Sequence, residues 1–164
     1  MPRRLPERFL PDSILEFRAA AQQRSYDAIA LEAAGRRTAA IYLWGYVAEM
    51  TLKAAFFHHS GFPETQNITR GDLQNGLRIY VATATRPNLH HIGLWAQALV
   101  ALRAATPGFA YADPTFGDIV IAKAQSLYGH WRETIRYHKN TAYTHEVTLV
   151  RKEAQWLLIH SVDL

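Results

Sequence analysis

The sequence predicts an all-α fold, an antiparallel bundle of four to five long helices with a short extra helix in the connection 62–88. Two observations carry this. Apolar residues recur at helical spacing in stretch after stretch, and the breaks between stretches hold capping residues, glycine or proline rather than the paired turns of a sheet. After an extended arm, 1–11, with Pro2, Pro6 and Pro11, the remainder reads as a single domain, 12–164. Asp12 or Ser13 caps a first helix that reaches Gly35, with Ile14, Phe17, Ala21, Tyr26 and Ile29 as its approximate apolar stripe. A second helix, 36–59, is apolar on nearly every side, which predicts burial at the centre of the bundle, and Gly61 and Pro63 end it.

The connection 62–88 reads two ways. Residues 79–85 alternate like a strand, but Leu73, Leu77, Tyr80, Val81 and Ala84 recur at helical spacing. A lone strand would have nothing to pair with, and Thr69 followed by Asp72 resembles an acidic capping box, so a short helix is expected. Pro87 precedes a third long helix over 90–103, with Ile92, Trp95, Leu99 and Leu102 facing inward. Asp113 and Pro114 form an N-cap and N1 proline for a fourth that runs toward Arg136, with Val120, Ala124, Leu127, Trp131 and Ile135 in register. A polar break, 138–141, separates it from a last helix carrying Val147, Val150, Ala154 and Leu157.

Composition excludes more than it assigns. The 164 residues are 49% hydrophobic and 12% aromatic, enough to build a core. The net charge of +4 permits an acidic partner without demanding one. With no cysteine, disulfides, thiolate metal sites and cysteine nucleophiles are excluded, and a reduced cytoplasm is the expected location. No leader-like start stands at the N-terminus, and no apolar run reaches the ~18 residues of a membrane span, so a soluble protein away from membranes is expected.

Eight histidines invite a metal reading. His58-His59 and His90-His91 are adjacent pairs, however, and neighbours on a helix diverge by about 100°, so neither makes an i,i+4 clamp. There is no HExxH, no GxSxG and no glycine-rich phosphate loop. His58 and His59, at the end of the second helix, suit the role of partners for its last carbonyls. No metal or cofactor is expected. Trp44, Trp95, Trp131 and Trp156 fall on or beside apolar stripes and are read as core. Glu49 lies among apolar neighbours and must find a partner; Lys53, one turn on, or an arginine of the fourth helix is the expected one.

What remains is a polar cluster: Arg132, Glu133, Arg136, Tyr137, His138, Lys139 and Asn140, followed by His145. Here a family resemblance enters. The stretch AAIYLWGYVAEMTLKA, residues 39–54, resembles the second helix of HEPN domains, the nucleotide-binding domains of higher eukaryotes and prokaryotes. His90-x-Ile92-x-x-Trp95 is similar to the opening of that family's next long helix, and Arg132-Glu133-x4-His138 to its Arg-polar-x(4–6)-His signature. The resemblance covers about 13–158.

It implies a small helical domain that forms a homodimer and binds RNA or nucleotide. In the family's active members RNA is cut without metal, in toxin–antitoxin or defence pairs. Carried over, His138 is the general base, Arg132 the phosphate clamp and Glu133 the polar residue after the arginine. Beside these, Arg136, Tyr137, Lys139 and His145 of the same polar cluster, and Glu49 on the central helix, are read as binding or supporting residues. The chemistry suits the types, since imidazole takes a proton near neutral pH and guanidinium stabilises phosphorane oxygens. Trp131 with Arg136-Tyr137 also resembles the W…RY ending of HEPN-like proteins that act as interaction modules, for example with a nucleotidyltransferase or antitoxin partner. In that alternative Arg136 is structural. On one unbroken helix Arg132 and His138 would stand about 240° apart, so convergence requires a helix break or a second subunit.

Overall fold

The computed structural model describes residues 11–81 and 87–164, and all the regular structure in them is helical. The expected arm 1–11, apart from Pro11, lies outside the described residues, as does Ala84. Six α-helices follow in order: α1, Ile14–Ala33; α2, Arg37–His59; α3, Arg70–Tyr80; α4, Ile92–Ala105; α5, Pro114–His130; and α6, Thr144–Ile159. One 3-10 turn, Glu133–Tyr137, stands between the last two.

α2 is the axis of the bundle. It packs against α1, α4, α5 and α6, and its apolar side chains Ile41, Trp44, Val47, Leu52, Phe56 and Phe57 are all buried. α3 lies against α4, and α5 against both α4 and α6. Three tryptophans are fully buried, and each indole N–H is satisfied. Trp44 donates to Glu32 Oε1 at 2.5 Å, Trp95 to the Leu89 carbonyl at 2.9 Å and Trp131 to the Tyr42 carbonyl at 3.1 Å. Trp156 is only half-buried, stacked on His160 with ring centroids 4.2 Å apart.

Local signals set most of the helix ends. Ser13 Oγ accepts from the Glu16 amide, Asp113 Oδ1 from the Thr115 amide, and Thr69 with Asp72 closes a full capping box. Gly35 turns the chain between α1 and α2 at φ +70°, a backbone region that glycine occupies without steric penalty. Two boundaries depart from the sequence expectation. The third long helix starts at Ile92, because the Asn88 side chain accepts from the His90 amide and its carbonyl from the His91 amide, leaving His91 as the N-cap.

The fourth ends at His130, not near Arg136. Trp131 leaves the helix with φ −123°, ψ 138° and drives its indole against Gly45 of α2. A Cβ on Gly45 would lie 2.1 Å from the indole nitrogen, so this contact exists only because α2 carries glycine there. Ile135 therefore sits in the 3-10 turn and is only partly buried. The helix breaks at Trp131, seven residues earlier than the break expected at His138.

Candidate functional site

A polar strip runs along one side of α2, built from Tyr42, Tyr46, Glu49 and Lys53, residues spaced by one helical turn each. The two tyrosine rings meet edge to face at 4.9 Å with hydroxyls 3.5 Å apart. Cavities open at both ends of this strip, and they differ in charge.

At the end toward the α2 C-terminus the strip is buried. Glu49 and Lys53 are 3% and 6% exposed, and Lys53 Nζ donates to Glu49 Oε1 at 2.5 Å. This is the partner expected from the sequence. The second partner is not an arginine but His90, whose Nδ1 lies 3.1 and 3.2 Å from the two Glu49 oxygens. The hydrogen bond to Glu49 raises the His90 pKa, overcoming the opposing effect of burial. Burial, then Tyr42 and Glu49, pushes the Tyr46 phenol far above its ordinary range. Lys53 also stands 5.5 Å from the centre of the Trp95 ring. Above these groups opens a cavity of about 820 Å³, walled by Phe17, Met50, Leu73 and Leu89 with Arg24 and Arg70 among its polar lining.

Arg132 belongs near this end. Its guanidinium covers the Tyr128 ring at 3.6 Å and donates to the Trp131 carbonyl at 2.7 Å. His91 stacks on the same tyrosine at 3.8 Å, and burial lowers its pKa, in keeping with an Nδ1 that accepts from the Leu94 amide. Glu133 accepts from Asn88 at 3.1 Å, and its second oxygen is buried without a partner among the described residues.

At the other end, the N-terminus of α2, a cavity of about 270 Å³ is lined by Arg36, Arg136, His138 and Lys139, with Tyr42 and Asn140 between them. No carboxylate is among its lining residues. The segment after the 3-10 turn is strapped down here. Asn140 accepts from the Thr38 amide at 3.0 Å and donates to the Gly35 carbonyl at 2.9 Å, while Thr38 Oγ1 accepts from the Thr141 and Ala142 amides. Arg37 adds a bond to the Ala142 carbonyl. The Tyr42 hydroxyl, and after it Tyr137, raises the pKa of Arg136, whose guanidinium lies 4.8 Å from the Tyr137 ring. Tyr137 itself is 74% exposed.

The predicted site residues thus fall into two groups at the ends of the strip, with His145 apart from both. Arg136, His138 and Lys139 share the basic pocket, with Tyr137 at its side. Arg132 and Glu133 lie with Tyr128, Asn88 and His91, and Glu49 with Lys53 and His90; neither arginine forms a hydrogen bond or ion pair with Glu49. His145 lines a third hollow, on α6, stacked against Tyr143.

Sequence reasoning missed Arg36, Tyr42, Tyr46 and His90 as members of these sites. The one available signal was the turn-by-turn recurrence of polar groups from Tyr42 to Lys53 on an otherwise apolar helix. His58 and His59 do not bond the last α2 carbonyls. His58 lies 3.8 Å from Glu64, and His59 lies 3.3 Å from Arg103, its pKa lowered chiefly by burial. No group of three or more His, Asp or Glu side chains among the described residues is arranged to hold a metal ion. No described helix is long and apolar enough to cross a membrane. Comparison with protein families, curated proteins and solved structures finds no match to this chain.

Proposed function

We propose that this chain is a HEPN-like domain that binds RNA or nucleotide through its phosphates at the N-terminal end of α2. The observation that carries this reading is the pocket in which Arg36, Arg136, His138 and Lys139 converge without a carboxylate. Folding has no use for such a cluster. Cations near a helix N-terminus oppose the helix dipole and repel each other, and only an anion reverses both effects. Guanidinium groups grip phosphate oxygens bidentately, and the exposed Tyr137 ring offers a stacking surface for an unpaired base.

Cleavage is the second reading, favoured by the presence of His138 beside Arg136 in the one pocket. His138 takes the proton of a ribose 2′-hydroxyl, the 2′-oxygen attacks phosphorus, and the P–O5′ bond breaks, the 5′-oxygen taking a proton from solvent water to leave as a hydroxyl and a 2′,3′-cyclic phosphate remaining. Arg136 then holds the phosphorane oxygens, the role that the family motif assigns to Arg132. The step needs no metal.

The test is binding of single-stranded RNA over a salt series. Wild-type affinity falls steeply with salt, with a slope of about −0.7 per phosphate neutralised, and Arg36→Glu with Lys139→Glu abolishes binding while the helical spectrum persists. His138→Ala lowers cleavage about 10²–10⁴-fold, and wild-type cleavage survives a chelator. RNA binding that is absent, or unchanged in the double variant, overturns the phosphate reading in favour of a protein-interaction module. Binding without cleavage overturns the catalytic reading alone.

A further inference from the structure

The 3-10 turn between α5 and α6 holds a carboxylate that the fold leaves half used. Glu133 opens the turn, with Arg132 just before it and Arg136 three residues on. Residues three apart eclipse on a 3-10 helix, so Glu133 and Arg136 share one face of the turn. Both arginines are nevertheless engaged elsewhere. Arg132 covers the Tyr128 ring and donates to the Trp131 carbonyl, and Arg136 lies by the Tyr42 hydroxyl and the Tyr137 ring. Glu133 Oε1 accepts from the Asn88 side-chain amide at 3.1 Å, while Oε2 is buried with no partner among the described residues. A carboxylate only accepts, and its two oxygens have room for about four bonds, so the groups wanting here are N–H or O–H donors. Leaving such an oxygen without a donor costs stability, and a ligand that brings the donor recovers it.

Beside this acid lies a stack. The His91 ring stands 3.8 Å from the centre of the Tyr128 ring, and the Arg132 guanidinium 3.6 Å from it. Two groups that close to one ring centre can only lie on opposite faces, so both faces of the tyrosine are taken. The flat surface left open is the outer side of the guanidinium, and Arg132 is exposed.

We infer that Arg132 and Glu133 form a base-reading subsite beside the phosphate pocket, and that the base it selects is guanine; this rests on the phosphate-binding reading above. Unpaired bases stack on guanidinium planes as well as on aromatic rings, and are then read along their edges. A carboxylate reads donors alone. Guanine carries two side by side, N1–H and the N2 amine. Adenine and cytosine set their amine beside a bare ring nitrogen, and uracil sets its one N–H between two carbonyls, so with each of these the carboxylate meets a lone pair. The Asn88–Glu133 bond lies at the exposed surface, so the carboxylate reaches a ligand by turning about its own side chain. A 3-10 turn rises about 2 Å per residue, which sets Glu133 about 6 Å along the turn from Arg136, the scale of one nucleotide from base to phosphate.

Anisotropy of labelled single-stranded RNA tests this, with short oligouridines carrying one central guanosine, adenosine or inosine titrated with the full chain. The guanosine strand binds about 10–100-fold more tightly than the adenosine strand, and inosine, which keeps N1–H but lacks the N2 amine, falls between them. Glu133→Gln, with an unchanged helical spectrum, brings the guanosine and adenosine strands to within about threefold of each other. A merely structural Glu133 would weaken all strands alike and leave the preference standing. Equal wild-type affinity for the three strands, an inosine strand equal to the guanosine one, or a guanosine preference that survives Glu133→Gln overturns the base subsite, while salt-dependent binding leaves the phosphate pocket in place. Failure of every strand to bind overturns both.

Discussion

The two ends of the polar strip on α2 hold charge in opposite ways. Around Glu49 the charges are buried, few and matched: one carboxylate, one ammonium and one imidazole whose basicity the carboxylate raises. Around Arg36, Arg136 and Lys139 they are exposed, of one sign, and unmatched by any lining acid. A buried unpaired charge costs several kcal/mol, so the first arrangement is one that folding enforces. Exposed cations cost the fold little, so nothing in folding gathers them at one place. Stability therefore explains the Glu49 end and does not explain the Arg36 end, to which the proposed phosphate binding applies. The smaller cavity is thus the one whose charges the fold leaves unmatched, although the larger one opens over the buried ion pair.

Substitutions at the two ends sharpen the contrast. Glu49→Ala leaves Lys53 buried without its partner and is expected to cost about 3–5 kcal/mol, read from the urea midpoint. A loss near zero would place the pair in effective contact with solvent and erase the distinction. Gly45→Ala comes next. Its new methyl enters the space of the Trp131 indole, for a loss of about 1–3 kcal/mol. Because Trp131 starts the turn that presents Arg136 and His138, RNA affinity falls with it. Unchanged RNA binding in this variant would separate the pocket from the core contact.

A pH effect of smaller size tests the buried end. His90 has a folded-state pKa raised above its unfolded value of about 6.5, so its contribution to stability is fully present below that value. It is lost as pH rises through the raised pKa. His59 and His91, whose pKas are lowered, work the other way: their contribution is present above about 6.5 and is lost as pH falls. The difference between wild type and His90→Gln isolates the first effect, and the gap in urea midpoints narrows from pH 6 to pH 8. A gap independent of pH would show that the Glu49 hydrogen bond does not favour imidazolium. The smallest expected effect belongs to the exposed end. His138→Ala changes stability by no more than about 0.5 kcal/mol, since the side chain is exposed. A larger loss would make His138 part of the fold rather than of a binding surface.

Much of the fold was legible because it is written in local terms. Ser13, the Thr69–Asp72 box, Gly35 and Asp113-Pro114 act on the backbone within a few residues, and each marks the boundary it predicts. The central burial of α2 followed from an all-round apolar helix, and the Glu49–Lys53 pair from one helical turn and the cost of a lone acid. The end of α5 was not legible. Helical spacing carries on through Trp131 to Ile135, and only the cleft above Gly45, presented by another helix, offers the indole a better place than the next turn.

The candidate site divides along the same line. From the sequence alone come the residue types, their order, and the absence of cysteine or a helical histidine clamp, because these are properties of the chain. That Arg136 rather than Arg132 stands beside His138, that Arg36 joins them from a hundred residues away, and that His90 caps the buried acid were decided by tertiary packing. The physical reason is that spacing along a chain specifies direction only while a helix lasts. Once Trp131 breaks α5, the side chains beyond it are aimed by what α2 and Asn140 hold in place.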